Sequence, residues 1–316
     1  MSMRITNNMV SDRVISDLQT QYSQLANTQL QVSTGRRVNN PSEDPTAYSQ
    51  ERLRNSQLAG IQSSQTSVNS AQTWLNQSES SLTNLGSVIA RAKDLATAAA
   101  NGSYSATDRA NAANEVDQLI KAAKDAMNAK VGNDYIFSGT RTDTAPYSTA
   151  TGDAYQGDAN AIVRSGGDAV TLQANPSFTD AAGNNGPLTG AALLGSGSAS
   201  GDGKILDTLT QLAAHLRGGT AADNAALGTT DLQALETNRV AVTSATQAIG
   251  AMGNRATAAL SRLQDMEDNA KNSIDDLTGV DMAQALTDYS TQSAAYQAAL
   301  KVGAQIIQPS LLQFLS

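Results

Sequence analysis

Cysteine is absent from this 316-residue chain, and histidine occurs once, at position 215. The absence of cysteine excludes disulfides, thiolate nucleophiles, iron–sulfur clusters and cysteine-ligated zinc. His215 stands just before Gly218-Gly219, where we expect a helix to end and the imidazole to face solvent. Without a second histidine or any cysteine, we do not expect His215 to be catalytic or to bind a metal.

Aromatic and charged side chains are also scarce, at 4% and 16% of the chain. Average domains carry about a quarter charged residues. The hydrophobic fraction is 40%, but many of these residues are alanine, so the apolar core must be thin. Glutamine, asparagine, serine and threonine fill much of the remainder and suit the polar faces of helices. This composition favours an elongated helical assembly over a compact enzyme.

The chain lacks both an excess of positive charge and a long apolar run. Its 21 Lys and Arg against 29 Asp and Glu give a net charge of -8, which argues against nucleic acid as a partner. No stretch of about 18 apolar residues occurs, so we expect no membrane span. The first residues contain no apolar segment before Asp12, so we expect no cleaved Sec signal.

Apolar residues near the start recur at alternating three- and four-residue spacing and predict one narrow stripe along a helix. The stripe consists of Ile15, Leu18, Tyr22, Leu25 and Val32, with Gln29 in place of an apolar residue. Gly35 is typical of a helix end. Asp44-Pro45 then predicts a second helix, with an N-cap followed by proline at the first helical position.

The second predicted helix carries a strict seven-residue repeat of apolar residues. The repeat consists of Ile61, Val68, Leu75, Leu82, Ile89 and Ala96. Trp74 adjoins the repeat, so we expect it to pack within this helical region rather than against a neighbouring subunit. Asn101-Gly102 interrupts the pattern, and Ser105-Ala106-Thr107-Asp108 has the form of a capping box that starts a third helix.

The composition changes abruptly at residues 138–203, which hold 12 of the 24 glycines and three of the six prolines. Two runs with alternating polarity, 161–164 and 169–172, predict strands of a small β-rich insertion. The segment 195–201 is rich in glycine and serine and predicts a flexible loop. Its glycine spacing does not match a dinucleotide-binding turn, so we expect no nucleotide cofactor.

Helical patterning returns after the insertion, over residues 205–216 and again from about 231 to 277. The last segment keeps the spacing of a coiled-coil seam. Its larger members are Met282, Leu286, Tyr289, Tyr296, Leu300, Ile307 and Phe314, with Ser293, Gly303 and Ser310 at interrupted positions. The two terminal stripes either close on each other as a hairpin in the monomer or are buried by assembly. We favour assembly, because two such narrow stripes alone bury too little apolar surface to stay ordered.

Several motifs identify a family that the sequence resembles. The turn after the first stripe runs Arg36-Arg37-Val38-Asn39-Asn40-Pro41-Ser42-Glu43-Asp44-Pro45; it resembles the flagellin superfamily, and its second half is similar to the hook-associated protein 3 family. Tyr135-Ile136-Phe137-Ser138-Gly139-Thr140 resembles that family's exit from the helical region, and Tyr155-Gln156-Gly157-Asp158 the first strand of its outer domain. The segment Ile274-Asp275-Asp276 and the C-terminal seam complete the resemblance.

The resemblance implies a mainly α fold with a small β-rich insertion. Residues 1–43 and 279–316 are implied to form a terminal coiled coil that is disordered in the free monomer. Residues 44–137 and 204–278 are implied to form a long α-helical rod, and residues 138–203 a β-rich head.

The resemblance also implies a non-enzymatic role in the extracellular bacterial flagellum. Members of the family polymerise at the hook–filament junction and connect the first junction protein, on the hook side, to flagellin. They are exported through the flagellar type III apparatus, with a chaperone on the C-terminal segment. A minor flagellin of the filament is the alternative within this class. A regulatory or enzymatic module in the head is the alternative from another class.

Two groups of charged residues have more than one explanation. Arg36 and Arg37 follow a helix end, where they either complement the helix dipole or form an intersubunit salt bridge. Asp153, Asp158 and Asp168 offer oxygen ligands, but their spacing fits no calcium loop, so we interpret them as turn residues.

Overall fold

The computed structural model describes residues 7–101, 104–148, 154–167, 171–180, 182–198 and 200–307. The helices are α1 (Asn7–Thr34), α2 (Pro45–Ala100), α3 (Ala106–Met127), α4 (Gly190–Leu193), α5 (Ile205–Gly218), α6 (Ala221–Gly228), α7 (Thr230–Thr278) and α8 (Met282–Ile307). The strands are β1 (Lys130–Val131), β2 (Asp134–Tyr135), β3 (Val163–Ser165), β4 (Thr171–Gln173), β5 (Ser177–Thr179) and β6 (Asn185–Pro187). The predicted mainly α fold with a small β-rich insertion is confirmed. Within the described residues, no helix is both long and apolar enough to cross a membrane.

One compact unit comprises residues 1–60 and 266–316, as far as they are described. In this unit α1 and α8 pack against each other as an antiparallel pair. α1 ends at Gly35, whose φ of 69° lies in the left-handed region that glycine adopts without strain. α8 begins after Asp281, whose carboxylate accepts hydrogen bonds from two backbone N–H groups of the first turn at 2.9 and 3.1 Å.

The other compact unit comprises residues 61–265, as far as they are described. Here α2, α3, α5 and α7 share an apolar core. The predicted repeat on α2 lies in two apolar clusters, with Ile61 partly buried and the remaining members at most 1% exposed: Val68, Leu75, Leu82, Ile89 and Ala96. This prediction is therefore confirmed. Trp74 is also buried in the core, and its indole N–H has no hydrogen-bond partner among the described residues.

Two helices of the second unit begin with a complete capping box. The Ser105 hydroxyl accepts a hydrogen bond from the backbone N–H of Asp108, and the backbone N–H of Ser105 donates to the Asp108 carboxylate in return, as the sequence predicts. Thr220 and Asp223 form the same arrangement at the start of α6. α6 lies where the sequence predicts a break, because Gly218-Gly219 ends the apolar pattern of α5 and hides the short helix that follows.

Three two-stranded antiparallel hairpins lie in the described residues: β1–β2 just before the insertion, in the range that the sequence assigns to the helical rod, and β3–β4 and β5–β6 within residues 138–203. In β3–β4, Arg164 lies opposite Leu172. The two runs that predict strands therefore pair, although each observed strand begins about two residues later than predicted. Residues 168–170 lie outside the described chain. Leu172 is buried in the apolar cluster that Val68 on α2 forms with Leu263 on α7. The β3–β4 hairpin therefore packs on a helix pair.

The segment 155–158 does not form the strand that the family resemblance implies. The hydroxyl of Tyr155 instead donates to the carbonyl oxygens of Phe137 and Asp158, at 2.8 and 3.0 Å. The Asp158 carboxylate accepts hydrogen bonds from the backbone and the side chain of Thr140. Both side chains tie the segment to the 137–140 turn, and the backbone N–H of Asp158 also donates to the carbonyl oxygen of Ser138 at 3.0 Å.

Candidate assembly interface

The face of α1 that meets α8 is narrow and contains polar and small residues. The Thr28 hydroxyl donates to the amide oxygen of Gln292 at 2.9 Å and also lies 3.1 Å from the carbonyl oxygen of Gln24. Gly303 packs so closely that an added Cβ would lie 3.2 Å from Cγ1 of Val14. These contacts define one antiparallel register along the pair.

We call the residues that face each other across this pair the inner seam. They are Val14, Leu18, Gln21, Leu25, Thr28 and Val32 on α1, with Ala285, Tyr289, Gln292, Tyr296, Ala299 and Gly303 on α8. Only Thr28, Ala285 and Gly303 among them are fully buried, and the others are half-buried. The inner seam is therefore a thin contact between two helices.

A second row of apolar residues lies beside the inner seam and is exposed. We call it the outer stripe, and it comprises Ile15 and Tyr22 on α1 with Met282, Leu286 and Leu300 on α8, each between 42% and 59% exposed. The offset from the inner seam is the same on both antiparallel helices, so the two halves of the outer stripe lie on one side of the pair. The ring centroids of Tyr22, in the outer stripe, and Tyr296, in the inner seam, lie 5.9 Å apart, so this contact connects the two rows.

The structure divides the residues that the sequence selects for assembly between these two rows. Leu18, Leu25, Val32, Tyr289 and Tyr296 belong to the inner seam, whereas the other described side chains belong to the outer stripe. Sequence spacing missed Gln21, Thr28 and Gln292, because polar residues do not register in an apolar pattern. The side chain of Ile307 and all of Phe314 lie outside the described residues.

Backbone pairing joins the ends of α1 and α7, and we call this region the clasp. Arg36 and Gly279 form an antiparallel bridge. The N–H of Arg37 donates to the carbonyl oxygen of Thr278 at 2.7 Å, and the N–H of Val280 donates to that of Gly35 at 3.2 Å. The clasp therefore fixes where α1 stops relative to where α8 starts.

Both arginines of the family turn have partners within the chain. The guanidinium of Arg36 forms an ion pair with Glu51, whose side chain is only 6% exposed. The guanidinium of Arg37 donates to the carbonyl oxygen of Leu277 at 2.9 Å and lies 3.4 Å from the Asp44 carboxylate. These contacts give each arginine a role in the clasp, where positive charge also meets a helix C-terminus.

The acidic half of the same turn caps the start of α2. The Glu43 carboxylate accepts hydrogen bonds from the backbone N–H groups of Asn39 and Asn40, and the first of these chiefly lowers the pKa of Glu43. Asp44 accepts a hydrogen bond from the N–H of Ala47 at 2.9 Å, which lowers its pKa. Pro41, Ser42 and Pro45 are exposed. The turn is thus an N-terminal cap as the sequence predicts.

His215 does not stand free at its helix end. Its Nδ1 atom lies 2.8 Å from the Asp231 carboxylate, whose side chain is 4% exposed. Burial is the largest effect on Asp231 and raises its pKa, while the hydrogen bond to His215 lowers it. The pair joins α5 to the first turn of α7, and sequence spacing gave no sign of it because 16 residues separate the two.

The described residues do not form a metal centre. They contain no cluster of three or more His, Cys, Asp or Glu side chains able to hold a metal ion. Asp158 is occupied by Thr140 and Asn160, while Asp153 and Asp168 lie outside the described residues. In the 195–201 segment, the carbonyl oxygen of Gly195 accepts a hydrogen bond from the Tyr147 hydroxyl at 2.6 Å. The flexibility of this segment stays a prediction.

Two family models match the chain. The bacterial flagellin N-terminal helical region matches residues 5–142, and the bacterial flagellin C-terminal helical region matches residues 232–315. Together these segments contain α1, α2, α3 and α8 with nearly all of α7.

Named relatives match the chain over part of their length. The chain is 32% identical over 161 residues to flagellar hook-associated protein 3 of Salmonella typhimurium, covering 49% of this chain and 50% of the relative. It is 36% identical over 137 residues to the protein of the same name in Escherichia coli, covering 42% of each. The chain thus spans about half the length of the curated relatives it matches. A flagellar filament 41 kDa core protein of Borreliella burgdorferi is 30% identical over 95 residues, 30% of this chain and 28% of the relative.

Solved structures resemble the fold over most of the chain. A hook-associated protein of Vibrio parahaemolyticus described as putative has a TM-score of 0.64 at 20% identity, covering 75% of this chain and 100% of that one. The flagellar junction protein FlgL of Legionella pneumophila has a TM-score of 0.53 at 17% identity, covering 73% and 100%. At 20% and 17% sequence identity, these two structures show a similarity of fold alone.

Proposed function

Because this chain belongs to the bacterial flagellin family, we propose that it is a structural adaptor that polymerises at the hook–filament junction and connects the hook side to the flagellin filament. It is a structural protein of that family and not an enzyme. The observation that carries the proposal is the outer stripe, a regularly spaced apolar row that the chain leaves exposed on its paired terminal helices.

The proposal of assembly at the outer stripe rests on the exposure of its apolar side chains and on their spacing. Each buried leucine or isoleucine side chain is worth roughly 1.5–3 kcal/mol relative to exposure, and the contact recurs in every subunit of a polymer. A surface that meets a different surface on the next copy generates a ring or a helical array. The outer stripe is therefore the part of the predicted interface that we assign to contacts between subunits, and the sequence pattern alone adds Ile307 and Phe314 to that assignment.

The inner seam accounts for the second part of the proposal, the ordering of the ends on assembly. Residues 1–43 and 279–316 form the coiled coil, residues 44–137 and 204–278 the rod, and residues 138–203 the head. The inner seam is too thin and polar to keep the terminal helices ordered in the free chain, since a two-helix contact must offset the entropy of both helices. Neighbouring subunits supply the missing burial.

The partners and the place in the flagellum follow from the same role. The chain contacts copies of itself, the first junction protein on its hook side and flagellin on its filament side. It lies outside the cell, in the flagellum, and travels through the type III export apparatus with a chaperone on its C-terminal segment. The named hook-associated relatives support this assignment.

Localisation tests the role directly. Immunogold labelling of the tagged chain is expected at the hook–filament boundary alone, and cells without it are expected to release flagellin into the medium. Labelling along the whole filament is the result that contradicts the junction and supports a minor filament subunit. That second candidate has support from the filament core protein relative.

Brief protease treatment tests the ordering of the ends. In the free chain we expect loss of both terminal segments and a resistant core of about residues 45–278, because unpacked termini are where cleavage concentrates. The same treatment of isolated flagella is expected to spare the ends. Uniform resistance from end to end in a demonstrated monomer contradicts ordering on assembly.

A further inference from the structure

The middle of the α2–α7 pair is covered by a strand and not by a third helix. We call the apolar residues at this level the Leu172 cluster. It consists of Val68 and Ala71 on α2, Ala256, Ala259 and Leu263 on α7, and Leu172 on β4, each at most 6% exposed. Among the described residues, none of its buried members comes from α3 or α5, although both helices contribute to the larger apolar cluster of the same unit. Leu172 is therefore the member that completes the burial of the two helices.

The ends of the same two helices show how much the pair buries without a hairpin. Residues 45–60 and 266–278 belong to the other compact unit, which contains no described strand. The apolar side chains that are only half-buried there include Leu58, Met266, Ile274 and Leu277. Two packed helices bury the strip along which they touch, so fuller burial requires a third element. In the middle of the pair that element is the β3–β4 hairpin.

The register of the hairpin turns one of its faces toward the helices. Leu172 lies opposite Arg164, and directly opposed residues share a face of an antiparallel pair. Leu172 is buried and Arg164 half-buried, whereas the neighbouring Val163 is 58% exposed, as alternation along a strand requires. Within β3 and β4, Leu172 is therefore the one apolar side chain on the inner face.

The hairpin also touches both helices through its backbone at Gly167. A Cβ atom on Gly167 would lie 3.2 Å from Cδ2 of Leu263 on α7 and 3.6 Å from Oγ of Ser64 on α2. The φ of Gly167 is 93°, in the left-handed region that favours glycine. The hairpin thus lies across the two helices and contacts each of them.

At its base the hairpin is fixed to the larger apolar cluster. The Asn175 side chain, in a residue that is 2% exposed, accepts a hydrogen bond from the N–H of Ile162 at 2.7 Å and donates to the carbonyl oxygen of Asn160 at 3.0 Å. The N–H of Ala174 donates to the carbonyl oxygen of Ile162 at 2.8 Å, and Ala174 is buried in the larger cluster. These bonds hold β3 and β4 together at the end opposite to Gly167.

From these observations we propose that the β3–β4 hairpin is a strap that closes the middle of the α2–α7 pair, so that the hairpin and this part of the helices open and close as one cooperative unit. The inference goes beyond the proposed assembly function and does not depend on it. It assigns the hairpin to the helical rod, although the sequence places residues 138–203 in a separate head. Closure of the rod then depends on the order of the head.

Amide hydrogen exchange of the purified full-length chain, measured by mass spectrometry, tests this coupling. Leu172→Ala removes the side chain that anchors the hairpin. Exchange is expected to rise by about tenfold or more in the hairpin and also at residues 66–73 and 254–263, because local opening then exposes the helices at this level. Residues 85–96, which α3 and α5 cover, are expected to keep the parental rate.

The coupling is also expected in the opposite direction, since a coupling free energy is reciprocal. Leu263→Ala on α7 should accelerate exchange in the hairpin. Val163→Ala and Val240→Ala are the matched controls, because they shorten exposed side chains of the same hairpin and the same helix. Both controls are expected to leave the exchange rates of the hairpin and of the two helices unchanged.

Two results overturn the proposal. One is faster exchange confined to the hairpin in the Leu172→Ala chain, because the helices then remain closed without the strap. The other is an equal acceleration at residues 85–96, because the substitution then acts on the whole unit and not on a local one. If Leu172→Ala does not fold, Leu172→Val takes its place, and the same two results decide.

Discussion

The two antiparallel helix pairs of this chain follow the same seven-residue spacing, yet they bury it to different depths. Between α2 and α7, Leu75 and Leu82 are at most 1% exposed, because side chains of α3 and α5 belong to the same apolar cluster. Between α1 and α8, Leu18 and Leu25 are half-buried and Leu300 is 44% exposed. A heptad pattern therefore identifies a contact face, but its depth of burial depends on how many elements surround it.

The largest expected difference between the pairs comes from truncating one leucine in each. Leu75→Ala leaves a cavity in the core and is expected to cost about 2–5 kcal/mol of unfolding free energy. Leu300→Ala is expected to change the stability of the free chain by less than about 0.5 kcal/mol, because its side chain is exposed. Urea unfolding of the purified variants measures both.

The effect of Leu300→Ala on assembly is measured in cells. Leu300→Ala is expected to weaken the junction, so that flagellin appears in the medium. Equal destabilisation of the free chain by the two substitutions, or firmly attached filaments in the Leu300→Ala strain, contradicts the distinction between a folding core and an assembly face.

An intermediate effect is expected at the clasp, where the thinly buried pair begins. Arg36→Met leaves the buried Glu51 carboxylate without its ion-pair partner and is expected to cost about 1–3 kcal/mol. Amide exchange should accelerate in α1 and α8 and remain unchanged in residues 68–96. Adding Glu51→Gln should recover most of the loss, and its failure to do so contradicts a role for the ion pair.

A smaller, pH-dependent effect is expected where His215 meets Asp231 in the well-buried region. Burial raises the pKa of Asp231, so the folded state favours the protonated acid; this contribution is complete below the unfolded pKa and is lost as pH rises through the folded pKa. The hydrogen bond from His215 opposes that loss. His215→Gln is therefore expected to cost about 1 kcal/mol at pH 6 and less near pH 4.

Thermal unfolding across this pH range measures the effect. Asp231→Asn is the matched control, since it removes the titrating group and should flatten the dependence on pH between 4 and 6. An equal loss at both pH values in the His215→Gln chain contradicts the assignment.

The smallest effect is expected at the ring contact between the two rows of the terminal helices. Tyr22→Ser removes a ring that is 59% exposed, so the stability of the free chain should change by less than about 0.5 kcal/mol. Photo-oxidative formation of dityrosine between Tyr22 and Tyr296 is expected in the parent and lost in this variant. Tyr289→Ser is the control and should leave that product in place.

Much of the fold follows from local chemistry in the sequence. Gly35, the Asp44-Pro45 pair and the Ser105 capping box each mark a helix boundary that the structure contains. Such signals are legible because they satisfy backbone groups within a few residues. α6 has the same signal in Thr220 and Asp223, and only the neighbouring glycines concealed it.

Other features could not be read from the sequence because distant elements create them. The 155–158 segment has strand-like residues, but its tyrosine and aspartate bind the 137–140 turn. His215 acquires its partner from the start of α7. In both cases the contact depends on how two elements approach each other, which local patterns do not specify.

The sequence by itself determined the mainly helical class, the seven-residue repeats and the thin apolar content that favours assembly, because these depend on periodicity and composition. Tertiary structure decided which of two adjacent rows on the terminal helices faces inward. Ile15 and Leu18 are equally good members of one stripe on an isolated helix. Only the partner helix, with Gln292 opposite Thr28 and Gly303 beside Val14, separates the inner seam from the outer stripe.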